Sequence, residues 1–468
     1  MSDRDGGGTT GDGTDPTETK NSRTRPAMIE LTSPDREALL GAVDATLEDL
    51  PGVALARRHR EIETVEDVPG ATVAAIEQIE ETGGFDDVES GAEVAITAGS
   101  RGIDDKPTVL TTAVSELKAR GFEPFVFPAM GSHGGATATG QKETIESYGI
   151  TGDSLGCEIR SSMDVERVGE DSDGRPIFVA SDALSADAIL LVNRVKPHTD
   201  YRGELESGLA KMAVVGMGKH RGAESFHNAG LAGDFATVLA DRADRLFATL
   251  PIVGGIAIVE NAEERAAVIE GIARESVLER ESELLERART ELPMLPVDEL
   301  DLLIVDEIGK DVSGTGMDTN VIGRVAFLGE DEPESPSITR IYARSLTPAS
   351  HGNGLGMGLA DFLHRDVLSD LDLADTYVNV VTSGEPNRTR IPFVVPDDEL
   401  ALLLAPSMTG ADPTDLRFAR IRSTSEPDEL IVSEPVAREL RDREDVTVGP
   451  IVSIQIEENG MFEDDPYH

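Results

Sequence analysis

Residues 93–137 read "EVAITAGSRGIDDKPTVLTTAVSELKARGFEPFVFPAMGSHGGAT", and this stretch decides the fold class. "EVAITAGSRGI" has the form of a strand that runs into a loop, and "KPTVLTTAVSELKARGF" the form of a helix. Pro107 suits the first helical turn, Val109, Leu110, Val114 and Leu117 share one face, and Gly121 offers a C-terminal stop. "EPFVFPAMGSHGGAT" is again a strand followed by a glycine-rich loop, with the helix "GQKETIESYG" after it. "DAILLVNRVKPHTD" repeats the strand-then-loop form. Strands that alternate with amphipathic helices predict an α/β fold with a largely parallel sheet covered by helices.

Outward from this stretch, the chain divides into three parts. Residues 1–27 are rich in Gly, Thr and Asp without apolar periodicity and are expected to be a disordered acidic tail. Residues 28–292 form an expected N-terminal catalytic domain, closed by a charged helical stretch over about 262–292 and by "PMLP". Residues 293–468 form a second α/β domain that opens on "ELDLLIVDEIGKDVSGTGMD". Further candidate strands there are "TYVNVVTSG" and "DELIVSEPV", and "HGNGLGMGLADF" is read as a glycine-rich loop leading into a helix. Each domain is expected to carry a largely parallel sheet flanked by helices, with the active site in the cleft between them.

Composition narrows the partners. The chain carries 89 acidic against 42 basic residues, a formal net charge of −47, and only eight lysines and eight histidines. Such a surface repels phosphate backbones, so nucleic acid is not an expected partner. A dense carboxylate shell suits a halophilic protein, because concentrated salt screens the mutual repulsion. No apolar run approaches the roughly 18 residues of a membrane span, and no basic-then-apolar leader is present, so a cytoplasmic protein without membrane contact is expected. The single cysteine, Cys157, excludes an internal disulfide and a four-cysteine iron–sulfur cluster. Its setting, "LGCEIR", reads as a buried strand.

Against this background one segment stands out. Residues 196–227, "KPHTDYRGELESGLAKMAVVGMGKHRGAESFH", hold three of the eight lysines (Lys196, Lys211, Lys219) and three of the eight histidines (His198, His220, His227). Four strand-then-loop segments also end on a polar or charged residue: Arg101, His133, Lys196 with His198, and Lys310. Loops that leave the carboxyl ends of parallel strands converge, so together these four predict one site. Stock motifs fail. "VVGMGKHRG" lacks the first glycine of a phosphate loop and has His220 where Ser or Thr would hold magnesium. "HGNGLGMG" is not a dinucleotide fingerprint, and no G-x-S-x-G elbow, HExxH or paired-cysteine zinc site occurs. "SGTGMDTN" (313–320) fits either an anion-binding nest or a tight structural turn.

As a set, "AGSRG", "GSHGGAT", "KPHTDYRGELESGLAK", "KHRGAESFH" and "EIGKDVSGTGMD" resemble the nickel-pincer lactate racemase family, whose members are nickel-dependent 2-hydroxyacid racemases and epimerases. The likeness spans roughly residues 90–330. It implies a pyridinium-3,5-bisthiocarboxylic acid mononucleotide covalently linked to Lys211, and nickel held by that cofactor with His227 as the protein ligand. It implies His133 and His198 as the acid/base pair, and Arg101 with Lys310 as the cations that grip substrate or cofactor. Cofactor-biosynthesis enzymes are the implied partners. Ala98 and Glu307 stand where the family carries an aspartate and a glutamine, and both departures bear on the substrate, read as a lactate-like or sugar 2-hydroxyacid.

The residue types suit that chemistry on their own terms. Inverting a 2-hydroxyacid by hydride loss needs a base for the hydroxyl, a cation for the carboxylate and a hydride acceptor. Histidine titrates near neutral pH, arginine binds a carboxylate through two parallel bonds, and no side chain accepts hydride, so a cofactor is required. Two alternatives share the same residues: a nickel-free isomerase or lyase using the histidine pair on a carboxylate substrate, and a non-catalytic protein that binds a small anion or cofactor. Lys196, Lys219 and His220 are left without an assigned role.

Overall fold

The computed structural model describes residues 35–100 and 102–462; the expected tail over 1–27 and Arg101 lie outside them. Fifteen strands occur among the described residues. In chain order they are β1 (Val53–Arg58), β2 (Glu93–Ala98), β3 (Glu123–Pro128), β4 (Val165–Glu170), β5 (Pro176–Ala180), β6 (Ala188–Arg194), β7 (Ile252–Glu260) and β8 (Ala266–Ala273). They continue with β9 (Glu299–Ile308), β10 (Ser337–Leu346), β11 (Phe362–His364), β12 (Phe393–Val395), β13 (Phe418–Ile421), β14 (Glu429–Ser433) and β15 (Val446–Val448).

The first sheet has the order β3-β2-β6-β7-β8. Its first four strands are parallel, and β8 returns antiparallel to β7. Both faces of the four parallel strands are largely buried, which is why they read as apolar runs. Along β6, Ile189 and Leu191 enter one core layer while Leu190 and Val192 enter the opposite one. The helix Lys106–Ala119 between β2 and β3 buries Val109, Leu110, Ala113, Val114 and Leu117 on the second of those faces. Pro107 lies in its first turn, and Gly121, at φ +87°, closes it with its N–H on the Lys118 carbonyl. This region matches the sequence reading closely.

The second sheet is larger, with the order β12-β11-β10-β9-β13-β14-β1-β15. The run from β12 to β13 is parallel, and β14, β1 and β15 extend it antiparallel. Its central strand β9 again alternates, with Leu303 and Val305 in one core layer and Leu302 and Ile304 in the other. One strand of this sheet, β1, comes from the amino-terminal part of the chain, before the first sheet begins.

Four local readings are corrected. "AAVIEGIA", expected inside a charged helix, is β8, and only Val277–Glu291 is helical. Pairing with β7 places Ala266 and Ile272 in buried surroundings, which outweighs the helical propensity of the segment. "TYVNVV", expected as a strand, lies in the helix Leu373–Ser383. Asp372 caps it by accepting from the Ala374 and Asp375 N–H groups, and Gly384 ends it at φ +79°, so the end signals overrule the β-branched residues. "HGNGLGMGLADF" leads through a 3₁₀ turn into β11 rather than a helix. Cys157 lies in a bend and is half-buried; only its neighbour Ile159 forms a bridge, to Val126.

Candidate active site

The loops after β2, β3, β6 and β9 meet around one cavity of about 370 Å³. Gly99 and Ser100 come from the first loop, Met130, Gly131 and His133 from the second, and Lys196 and His198 from the third. Lys310, Asp311 and Gly314 come from the loop after β9, so both sheets contribute to the wall. Lys211 joins them from a short helix, Leu209–Lys211, which passes directly into a π-helical turn over Met212–Gly216. Such turns are rare, and this one packs tightly: a Cβ on Gly216 would stand 2.9 Å from the Ala129 carbonyl oxygen.

Of the residues expected at the site, His133, His198, Lys211 and Lys310 line this cavity, as does Lys196. Arg101 follows the lining residue Ser100 and lies outside the described residues. His227 is not part of the lining. It is half-buried on the helix Lys219–Ala232, where its ring lies 6.3 Å from that of Phe235. Phe235 is 5.4 Å from Tyr201, and Tyr201 stacks on His198 at 4.3 Å, so a row of four rings runs from the cavity wall to His227. Lys211 Nζ lies 5.9 Å from the centre of the Tyr201 ring.

The cavity concentrates cations in a chain that is poor in them. Lys196, Lys211, Lys310 and Arg194 face Glu264, Asp311 and Asp318 in the lining. Arg194 is paired with Glu260, Asp311 accepts from Thr347 Oγ1 at 2.5 Å, and Asp318 accepts from the Asn320 N–H at 2.9 Å. Lys310 Nζ donates to Asn379 Oδ1 at 2.6 Å. Three of the chain's eight lysines are therefore spent on one small space in a protein whose acidic residues outnumber its basic ones two to one. That pattern suits a small anion.

Two more lysines lie immediately behind the wall. Lys106 Nζ donates to the Gly99 carbonyl at 3.0 Å and sits 4.9 Å from the centre of the Tyr148 ring. Burial, helped by nearby Arg194, pushes its pKa down to about 8. Lys219, fully buried and held at φ +53°, donates to the Pro128 carbonyl at 2.5 Å and to Gln141 Oε1 at 3.1 Å. Burial brings it to about 8 as well. Gln141 in turn donates through Nε2 to the Met130 and Gly131 carbonyls, at 2.7 and 3.0 Å. Lys219 and Gln141 thus fix the backbone of the loop that carries His133. This gives Lys219 a structural role; His220, exposed on the same helix, lies away from the lining.

The loop carrying His198 is fixed from three sides. Glu206, itself buried, accepts from the His198 N–H at 2.5 Å and from Arg289 at 2.7 Å. The Thr199 carbonyl accepts from Thr319 Oγ1 at 2.9 Å and from Arg388 at 3.1 Å, and Arg388 also pairs with the Asp200 carboxylate. Burial opposes ionisation of Asp200, but the positive charges around it, of His198 when protonated and of Arg388 and Lys211, hold its carboxyl well below the usual range. The Asp200 N–H donates to His198 Nδ1 at 3.0 Å. Burial, and then the charge of Lys211, keep the His198 pKa well below its ordinary value, so the ring is neutral at neutral pH.

Lys211 is supported from below by Glu281. This carboxyl is buried and accepts from the Ala210 N–H at 2.9 Å, at the start of the helical turn that carries Lys211. The fit depends on glycine: a Cβ on Gly208 would stand 2.3 Å from Glu281 Oε1. Burial pushes the Glu281 pKa up to about 7, against the opposing pull of the Ala210 and Leu209 amides.

Asp200, Glu206, Gln141, Glu281, Asn379 and Arg388 were not singled out from sequence. Apart from the two acids in the lysine- and histidine-rich segment, no local signal marked them, because each acts across a fold contact. Among the described residues no cluster of three or more His, Cys, Asp or Glu could hold a metal ion, and no helix is long and apolar enough to cross a membrane.

Fold and cavity together define an α/β protein with a cation-rich site at the carboxyl ends of parallel strands. No protein-family model matches the chain, and no curated protein matches it. Among solved structures it is similar to the lactate racemase apoprotein from Thermoanaerobacterium thermosaccharolyticum, at 13% identity and a TM-score of 0.47, over 82% of this chain and 95% of that one.

Proposed function

We propose that the protein is a nickel-dependent racemase or epimerase of a small 2-hydroxyacid. The observation that carries this reading is the meeting of Lys211, His133, His198 and Lys310 in one cavity from four separate segments. The space of about 370 Å³ lies within the range of small-molecule and cofactor sites. In this reading Lys211 would hold the pyridinium nucleotide covalently and His227 would hold its nickel. When bound, that group supplies the hydride acceptor which no side chain offers. A cofactor that brings most of its own metal ligands needs one imidazole from the protein, which is consistent with the lack of a preformed metal cluster among the described residues.

The remaining work falls to side chains. Lys310, held by Asn379, and Lys196 provide positive charge for the substrate carboxylate, with Arg101 as the expected third cation. His133 and His198 exchange a proton with the substrate hydroxyl as the α-hydrogen leaves and returns as hydride. Glu281 and the Lys219–Gln141 pair hold the lysine and the first histidine in place.

One observation favours a second reading. His227 stands outside the lining, which suits a nickel-free isomerase or lyase that moves protons with the same two histidines. Turnover in heavy water separates the two. Hydride return keeps the original α-hydrogen, so product without deuterium at that carbon supports the racemase, and extensive deuterium there rules it out.

A further inference from the structure

The cations of the cavity suit a substrate carboxylate, but they leave the acids of the same wall without a role. We propose that Asp318 sets the specificity of the site by accepting a substrate hydroxyl beyond C2. The substrate class is then a polyhydroxylated 2-hydroxyacid, in preference to lactate or a hydroxydicarboxylate. This rests on the racemase reading for the 2-hydroxyacid part, and on the loop after β9 for the rest. Asp318 lines the cavity and is half-buried. Its Oδ1 already accepts from the Asn320 N–H and from Asn320 Nδ2, at 2.9 and 2.8 Å. Oδ2 is therefore the acceptor that it offers to a bound molecule. The backbone around it is fixed by two buried threonines. The Asp318 N–H donates to Thr424 Oγ1 at 2.9 Å, and Thr319 Oγ1 donates to the Thr199 carbonyl at 2.9 Å. The second bond joins the chain neighbour of Asp318 to the chain neighbour of His198, so the carboxylate stands beside the loop that carries a base.

Three kinds of group could meet this carboxylate at the far end of a 2-hydroxyacid. A methyl, as in lactate, offers no donor and displaces water from an ionised oxygen, which costs binding free energy. A second carboxylate sets like charges against each other in a half-buried space. A hydroxyl donates to Oδ2 in a charge-assisted bond. The rest of the loop favours the same choice. Asp311 is held through Oδ1 by Thr347, and Ser313 Oγ lies 3.2 Å from Thr315 Oγ1, so this one loop brings further oxygens to the wall next to Lys310. The single carboxylate of a polyhydroxylated acid matches Lys310 and Lys196, and its remaining hydroxyls match the acids and the serine. A site built to hold a hydroxyl discriminates strongly against the analogue that lacks it, because its own polar group is then left unpaired.

The test uses acids that differ only beyond C2: racemic lactate, racemic glycerate, racemic malate, and the C2 epimers erythronate and threonate. In the first arm their binding to the holoenzyme is measured by calorimetry in concentrated KCl, which needs no turnover. Glycerate, or one of the two epimers, is expected to bind at least about tenfold more tightly than lactate, the effect of one hydrogen bond to a charged group, with malate the weakest. Asp318→Asn keeps an acceptor for Asn320 and removes the charge, so it is expected to shrink that preference about tenfold and to improve malate relative to lactate. Lactate or malate binding as tightly as the polyhydroxylated acids, no binding of those acids, or a preference unchanged in Asp318→Asn overturns the proposal. If the variant does not fold, the order of affinities in the wild type decides. In the second arm kcat/KM for inversion at C2 is compared across the same acids, and the same order is expected. If the wild-type holoenzyme inverts none of them, the racemase reading fails, and the binding arm still decides the role of Asp318.

Discussion

Replacing Lys219 by Met probes the framework behind the cavity. The ammonium is buried, and its pKa falls from the ordinary 10.5 to about 8. Between those values the unfolded chain holds a proton that the folded chain has released. Unfolding therefore takes up a proton, and stability rises with pH across this window. A fall of that size corresponds to about 3 kcal/mol at most, since each unit of pKa is worth about 1.4 kcal/mol. Lys219→Met removes this rise. It also leaves the Pro128 carbonyl and Gln141 Oε1 without their donor, at a cost of about 1–3 kcal/mol each, partly offset because no charge is buried. Urea unfolding in concentrated KCl at about pH 7 and about pH 10 measures both effects. The deficit of the variant is expected to widen by about 2–3 kcal/mol at the higher pH. A deficit that stays constant between the two pH values would refute the reasoning.

Three further outcomes follow from the same structure. Glu281, raised to about 7, binds a proton in the folded chain that the unfolded chain has lost between about 4.5 and 7, so its contribution falls as pH rises through that window. Glu281→Gln keeps an acceptor for the Ala210 N–H and should stabilise the protein by up to about 3 kcal/mol above pH 7, with little effect near pH 4.5; destabilisation at pH 8 in urea melts would contradict this. Arg388→Met removes the buried donor of the Asp200 carboxylate and the Val325 carbonyl and leaves the Thr199 carbonyl with Thr319 Oγ1 alone, so a loss of about 3 kcal/mol is expected, and a loss below about 1 kcal/mol would mean that the pair contributes little. Asn379→Ala removes the hydrogen bond that orients the Lys310 ammonium and should raise KM for a carboxylate substrate several-fold with a smaller effect on kcat; an unchanged KM would remove Lys310 from substrate binding.

Much of the architecture was legible in the sequence because it depends on short-range patterns. β2, β6 and β9 are apolar on both faces, and the helix Lys106–Ala119 carries its own start and stop residues, so strand, loop and helix could be placed in order. The convergence of His133, His198 and Lys310 followed from the rule that loops at strand carboxyl ends gather, together with the scarcity of lysine and histidine elsewhere. What could not be read depends on distant partners. β8 looks helical until β7 is beside it, and nothing near Val53–Arg58 says that it joins β14 and β15, nearly 400 residues later. Val378 and Val381 suggested a strand, yet their helix stays exposed and is decided by Asp372 and Gly384 at its ends. The supports of the site, Gln141, Glu281 and Arg388, are ordinary polar residues whose significance appears only when the fold sets them against a carbonyl, an amide or a carboxylate.

The central claim is that Lys211 carries a nickel-binding nucleotide. Intact-mass spectrometry of freshly isolated protein, followed by mapping of the peptide that contains Lys211, tests it directly. The account predicts a nucleotide-sized mass increment on Lys211, absent from Lys211→Ala, with nickel present in elemental analysis. An unmodified Lys211 in protein that interconverts 2-hydroxyacid enantiomers would contradict it.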